Sequence, residues 1–254
     1  MSPSAALHDP IFRAYFGLVT GLLLVVGLLL AALQFIFRIE LGAVWKTYQS
    51  WLWMAPLAAL IMFAGRIVFI ASAAAVALMG LREFARASDR RRGRWKCAAV
   101  CAGLIGVAIS LGHLARSPNA YGYLCFVLFA TEVNDVAAFT FGRVFGRHPL
   151  APAISPRKTW EGSLGAFLLA LILPWLLHFS FPFFGPRDLL LSGLIVGVGG
   201  QLGDLVFSSF KREFGVKDWG TAIPGHGGVL DRIDSLIFVA PLFMQLTEYY
   251  YPGR

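Results

Sequence analysis

The sequence predicts an all-α fold, a polytopic integral membrane helix bundle of about eight transmembrane helices, roughly 7–9. Three observations predict it. Hydrophobic residues fill 57% of the 254 positions and charged residues 14%, with a mean hydropathy of +0.69, far from the composition of a soluble globular domain. Six apolar stretches come near the ~20 residues that a helix needs to cross a bilayer. Lys and Arg collect between those stretches, where cytoplasmic loops of membrane proteins carry them, so topology accounts for the net charge of +8 without invoking nucleic acid.

The first apolar stretch, 14–37, is too long for a signal core and has no basic region before it, so it reads as a retained helix. Residues 41–54, with Trp45, Tyr48, Trp51 and Trp53, resemble an interfacial segment lying along the membrane. Stretch 53–81 is long for one crossing, and Gly65-Arg66 interrupts it, which predicts a tight pair of short helices. Stretches 96–115, 121–141, 162–184, 188–207 and 235–250 supply the other crossings. The basic runs 86–96, 143–158 and 211–232 are separated by two crossings each, so all three can face the cytoplasm together. Gly193, Gly197, Gly199, Gly200 and Gly203 suit a close helix-packing face. Cys97, Cys101 and Cys125 lack the spacing of a zinc site or disulfide framework, and His178 reads as structural. No repeat or linker divides the chain, which reads as a single bundle domain.

Five of the 14 Asp and Glu residues, Asp204, Glu213, Asp218, Asp231 and Asp234, fall in one stretch of 31 residues beside Lys211, Arg212, Lys217, His226 and Arg232. Charge is costly near a bilayer core, so a mixed-sign cluster joined to apolar helices marks a functional site. Gly225, Gly227 and Gly228 form a turn whose amides can approach an anion without Cβ obstruction. Cations there suit phosphate oxygens, and carboxylates suit magnesium, which takes one or two of them plus substrate phosphates and water. Together they imply a nucleotide phosphate site. A second polar island runs from Ser155 to Gly162. Ser155, Thr159 and Glu161 can cap the following helix, and that helix start with Arg157 and Lys158 can also contact an anion. Within stretch 121–141 stand Glu132, Asn134 and Asp135; Asp135 either joins the site or pairs with Arg143.

The run Ser208-Ser209-Phe210-Lys211-Arg212, then Lys217-Asp218, then Pro224-Gly225-His226-Gly227-Gly228-Val229-Leu230-Asp231-Arg232-Ile233-Asp234 resembles the signature of phosphatidate cytidylyltransferases, or CDP-diacylglycerol synthases. The likeness extends to Gly203-Asp204-Leu205, to the island 155–162, and to Asn134-Asp135 with Gly142-Arg143 and Gly146, covering about residues 130–240. Phe207 stands where many relatives carry an acid, and the first 90 residues are similar to a paralogous branch rather than to the housekeeping enzyme. The resemblance implies CMP transfer from CTP to phosphatidic acid, giving CDP-diacylglycerol and pyrophosphate for phospholipid biosynthesis. It also implies a homodimer in the inner (plasma) membrane of a bacterium, with its active site on the cytoplasmic face. An amino-terminal transmembrane region with a basic cytoplasmic loop, 1–95, would precede a cytidylyltransferase core, 96–254.

By the same likeness, Asp204 and Asp231 are expected to hold Mg2+, with K+ as a candidate second cation. Lys211, Arg212, Lys217 and Arg232 are expected on the CTP phosphates, and Asp218 and Asp234 beside the metal centre. Ser155, Arg157 and Lys158 are expected to contact phosphate, with Asp135, Gly227 and Gly228 as further binding positions. His226 is expected to shape the turn or touch pyrophosphate. The lipid phosphate is already an anionic nucleophile, so catalysis rests on neutralising charge at the α-phosphate and the leaving pyrophosphate. Two other readings of the residues exist: a CTP-dependent transferase or kinase acting on another membrane lipid, and, more distantly, a transporter using Glu132, Asp135 and the glycine-rich helices.

Overall fold

A computed structural model describes residues 1–35, 42–87, 94–223 and 227–253. Helices dominate: α1 (Pro3–His8), α2 (Pro10–Phe35), α3 (Gly42–Ala64), α4 (Arg66–Ala87), α5 (Arg94–Leu114), α6 (Ala120–Phe145), α7 (Trp160–Leu176), α8 (Pro186–Leu194), α9 (Gly200–Glu213), α10 (Leu230–Ile233) and α11 (Leu236–Tyr250). Among the described residues, five helical segments are long and apolar enough to cross a membrane: Pro10–Phe35, Arg66–Ala87, Lys96–Leu114, Ala120–Phe145 and Pro186–Glu213. Helices α3, α7 and α11 complete the bundle at the other expected positions. Large apolar side chains face outward along the spans, with Leu28 72%, Ile67 83% and Phe139 66% exposed. Such a surface is tolerated only where lipid replaces water. The protein is an all-α polytopic membrane helix bundle.

Stretch 53–81 does contain two helices, and the break falls at Gly65, whose φ of 108° is open to glycine and strained for other residues. Both helices are longer than expected. Residues 42–54 are not a separate interfacial segment but the first half of α3, because nothing in that run stops a helix and even Pro56 is accommodated inside it. The chain also forms an unexpected antiparallel hairpin, β1 (Pro149–Ala151) with β2 (Ser155–Thr159). Helix α7 ends at Leu176, short of expected residue 184, and a 3-10 turn follows over His178–Ser180. There Phe181 leaves the helical path to stack on Phe184, with ring centroids 4.4 Å apart. His178 is structural, its Nε2 lying 3.1 Å from the Phe184 carbonyl oxygen.

Two halves of α6 do different work. In its first half Tyr123, Leu124, Phe126 and Val127 are fully buried and pack with Phe181, Phe184 and Phe243 as an aromatic core. Its second half carries Glu132, Asn134 and Asp135 to the polar end of the bundle. Helix α7 lies against that half at near-backbone distance: a Cβ on Gly162 would sit 2.6 Å from the Ala138 carbonyl oxygen and 2.8 Å from Gly142 Cα. The expected glycine packing face is present too. A Cβ on Gly193 would meet the Ala170 carbonyl oxygen at 2.7 Å, and one on Gly203 would meet that of Asp234 at 2.5 Å. Segment 195–199 between α8 and α9 winds as a π-helix, so Pro186–Glu213 forms one continuous rod that extends six residues past the expected end of this span.

Candidate functional site

That extension puts the acidic and basic residues of the motif on one helix face. Asp204, Ser208 and Lys211 stand at i, i+4 and i+7 of α9, the spacing of neighbours along a helix. The Ser208 hydroxyl donates to Asp204 Oδ1 at 3.1 Å. Lys211, buried, donates to Asp231 Oδ1 at 2.8 Å and lies 3.9 Å from Asp234 Oδ2. The second oxygen of Asp231 accepts the backbone N–H groups of Trp219 and Gly228, both at 2.9 Å. One carboxylate thus joins α9, the loop after it and the glycine turn. That turn needs its glycine: Gly227 has a φ of 82°, and a Cβ there would lie 2.8 Å from Asp231 Oδ2. The Ile223 N–H donates to the Gly227 carbonyl oxygen at 2.9 Å and closes the loop. Trp219 anchors the loop below by packing on Phe84 and Phe214, with ring centroids 5.2 and 6.0 Å away.

The 155–162 island reaches the same place from the other side. Lys158 on β2 forms an ion pair with Asp204. Arg212 at the end of α9 donates from Nε to the Ile154 carbonyl oxygen at 2.9 Å, tying helix to hairpin. Thr159 caps α7 by accepting the Gly162 N–H at 3.2 Å, while Glu161 accepts the Arg147 N–H at 3.1 Å and the His148 N–H at 3.3 Å. Ser155 sits in β2 and does not cap the helix. The Gly142–Gly162 approach sets this hairpin over the end of α6.

From α6, Asp135 accepts the Ser235 hydroxyl, which lies 3.3 and 3.4 Å from its two oxygens, in place of the alternative pairing with Arg143. Glu132, Asp204 and Arg232 are its electrostatic neighbours. Asn134 is 1% exposed. Both its amide atoms, and Arg232 Nε, are buried without hydrogen-bond partners among the described residues. Asp234, in the link between α10 and α11, has its carboxyl pushed above the usual carboxylate range by burial and further by Asp204, against the lowering pull of Lys211.

Of the residues expected in the site, the structure therefore joins Lys158, Asp204, Lys211, Asp231 and Asp234 through ion pairs, and places Asp135, Gly227, Gly228 and Arg232 beside them. Asp218 is close to Gly227 but exposed, as are Lys217 and Arg157. His226 lies outside the described residues. Glu83 on α4 went unrecognised in the sequence: it is 8% exposed, and its carboxylate accepts the Val229 N–H at 3.0 Å and the Leu230 N–H at 2.9 Å. The signal was available, because an acid near the end of an apolar helix merits the same attention as Glu132.

The two expected magnesium ligands meet different environments. Asp204 has a side chain 33% exposed, and its two oxygens face Ser208 and Lys158, one each. Asp231, with its side chain 4% exposed, already gives both oxygens to Lys211 and two amides. Among the described residues no group of three or more His, Cys, Asp or Glu side chains is arranged for a metal. The donor set fits magnesium bound through one carboxylate, Asp204, with phosphates and water completing its shell.

Residues 88–250 match the sequence model described as the Cytidylyltransferase family. The chain is 44% identical over 139 residues to a protein of Staphylococcus haemolyticus (strain JCSC1435) named phosphatidate cytidylyltransferase, covering 54% of this chain and 53% of that one. It is 44% identical over 140 residues to a protein of the same name from Staphylococcus aureus (strain COL), with the same coverage. It is 40% identical over 159 residues to the Escherichia coli (strain K12) protein named Uncharacterized protein YnbB, covering 59% of this chain and 53% of that one. The matched part spans about half the length of these curated relatives.

Proposed function

The chain belongs to the cytidylyltransferase family, and from that membership and the geometry we propose that it transfers CMP from CTP to phosphatidic acid, giving CDP-diacylglycerol and pyrophosphate. The observation that carries the reading is the meeting of three separate sequence stretches, 155–162, 204–218 and 227–235, through the Lys158–Asp204 and Lys211–Asp231 pairs. A site of alternating cations and acids suits a triphosphate. In the reaction a lipid phosphate oxygen forms a bond to the α-phosphorus of CTP, the α–β anhydride bond breaks, and its electron pair leaves with pyrophosphate.

Lys158 and Lys211 take the phosphate oxygens, exchanging part of their carboxylate contact for the incoming anion. Arg232, whose Nε has no hydrogen-bond partner among the described residues, faces the acids of α6 and neutralises charge gathering there. Arg157 and Lys217, exposed at the rim, draw the anionic substrates in. Asp204 holds magnesium, which when bound supplies charge neutralisation across the triphosphate. Asp231 keeps Lys211 and the glycine turn in register. The nucleophile enters ionised, so no obligate base is needed. The basic loops favour a site on the cytoplasmic side of the membrane, and family likeness supports a homodimer in a bacterial inner membrane.

The test uses the purified protein with magnesium, phosphatidic acid and CTP labelled at either the α- or the γ-phosphate. CMP transfer moves the α-label into lipid and releases the γ-label as pyrophosphate, whereas a CTP-dependent kinase moves the γ-label into lipid. Absence of α-label from the lipid fraction, across several lipid phosphates, overturns the proposal.

A further inference from the structure

The buried Glu83 carboxylate stands apart from the motif residues. It belongs to α4, before the family match begins at residue 88, yet it accepts two consecutive N–H groups, Val229 at 3.0 Å and Leu230 at 2.9 Å, one and two residues before Asp231. Among the described residues neither donor has a backbone partner, as expected where α10 starts, because the first amides of a helix have no carbonyl within it to bond. Two glycines make room for it. A Cβ on Gly220 would lie 2.6 Å from Glu83 Oε1, and one on Gly228 would lie 2.5 Å from Oε2. The neighbouring Phe84 packs on Trp219 and Phe214. Trp219 in turn donates its N–H to Asp231. Helix α4 therefore grips both sides of the loop that presents Asp231 and the glycine turn.

We propose that Glu83 is a positioning residue for CMP transfer: its carboxylate fixes the Val229–Leu230 backbone, and through it the register of Asp231 and Lys211. The inference rests on the function proposed above, and it makes the amino-terminal region a working part of the site rather than only its membrane support. Glu83 touches no substrate in this scheme. An Asp at this position is one methylene too short to reach both amides, and a Gln offers one acceptor oxygen where two are used.

The experiment compares wild type, Glu83→Gln, Glu83→Ala, Gly220→Ala and the Glu83→Ala/Gly220→Ala double variant in detergent micelles. It measures kcat and KM for CTP and hydrogen exchange at the Val229 and Leu230 amides. Gly220→Ala pushes the Glu83 carboxylate off its two donors without removing it. The expected result is a kcat at least tenfold lower for Glu83→Gln, Glu83→Ala and Gly220→Ala, with faster exchange at both amides. Adding Gly220→Ala to Glu83→Ala then costs less than twofold more, because the group it displaces is already gone. A merely structural role predicts loss of folded protein with unchanged kcat per folded molecule, and Gly220→Ala equally harmful in both backgrounds. Either result overturns the proposal. If the wild type transfers no CMP, the proposed function falls by itself. The exchange data then decide the clamp: faster exchange of both amides in Glu83→Ala supports it, and unchanged exchange sinks it.

Discussion

Replacing Asp231 by Asn tests the centre of the site. The Asn oxygen can still accept the Trp219 and Gly228 amides, which share one Asp231 oxygen at 2.9 Å each. Its amide nitrogen then replaces the oxygen that accepts from Lys211 at 2.8 Å, so two donors face each other. Lys211 is 11% exposed in its side chain and keeps only the Asp234 carboxyl, 3.9 Å away, as an acidic neighbour able to ionise in response. Removing one partner of a buried pair costs about 3–5 kcal/mol, and the remaining Asp234 argues for about 3 kcal/mol. For a chain of this size that corresponds to a fall in melting temperature of about 6–12 °C. Displacement of Lys211 also moves a phosphate-binding cation, and such misplacement costs about 100-fold in rate. The assay is kcat for transfer of α-labelled CMP into lipid, normalised to folded protein, beside a thermal unfolding curve. Because both Asp231 oxygens are buried and already engaged by donors, raising magnesium should not restore the activity. A variant within threefold of wild type, melting at the same temperature, would refute the reasoning, and rescue by magnesium would make Asp231 a direct ligand instead.

Asp204→Asn should behave differently, with a magnesium requirement raised at least tenfold and activity partly restored at high magnesium, since its carboxylate is the accessible one; a magnesium titration reads this. Lys158→Ala should raise the KM for CTP about tenfold while leaving the melting temperature within a degree or two, because a partly exposed ion pair contributes only about 0–1 kcal/mol to stability. Lys211→Ala should impair CTP use far more than Cys101→Ala, and the reverse ranking in steady-state kinetics counts against the phosphate site. Gly162→Ala should destabilise by about 1–3 kcal/mol, since its Cβ would press on the Ala138 carbonyl of α6 at 2.6 Å; unfolding in detergent measures it.

Much of this protein was legible in its sequence because the bilayer imposes a length and a polarity on every element that crosses it. Apolar runs therefore placed the helices, and Gly65 marked the boundary between α3 and α4. Local rules reached less far where two structures satisfy the same pattern. Residues 42–54 carry interfacial aromatics but continue into a helix, and the hairpin 149–159 has too few residues to show a period. The motif residues were visible as costly charge, yet a list of charges does not pair them. Only the tertiary structure brought Lys158 to Asp204 across 46 positions, and Lys211 to Asp231 across 20. It also buried Asp231 among three donors and left Asp204 a third exposed beside Ser208 and Lys158, a distinction between two acids that look alike in the chain. Glu83 shows the same limit most plainly. By itself the sequence determined that charge near the apolar helices has to be compensated, because desolvation is a local cost; which group compensates which is a matter of distance, and only the packing of α4 against the loop before Asp231 decided that.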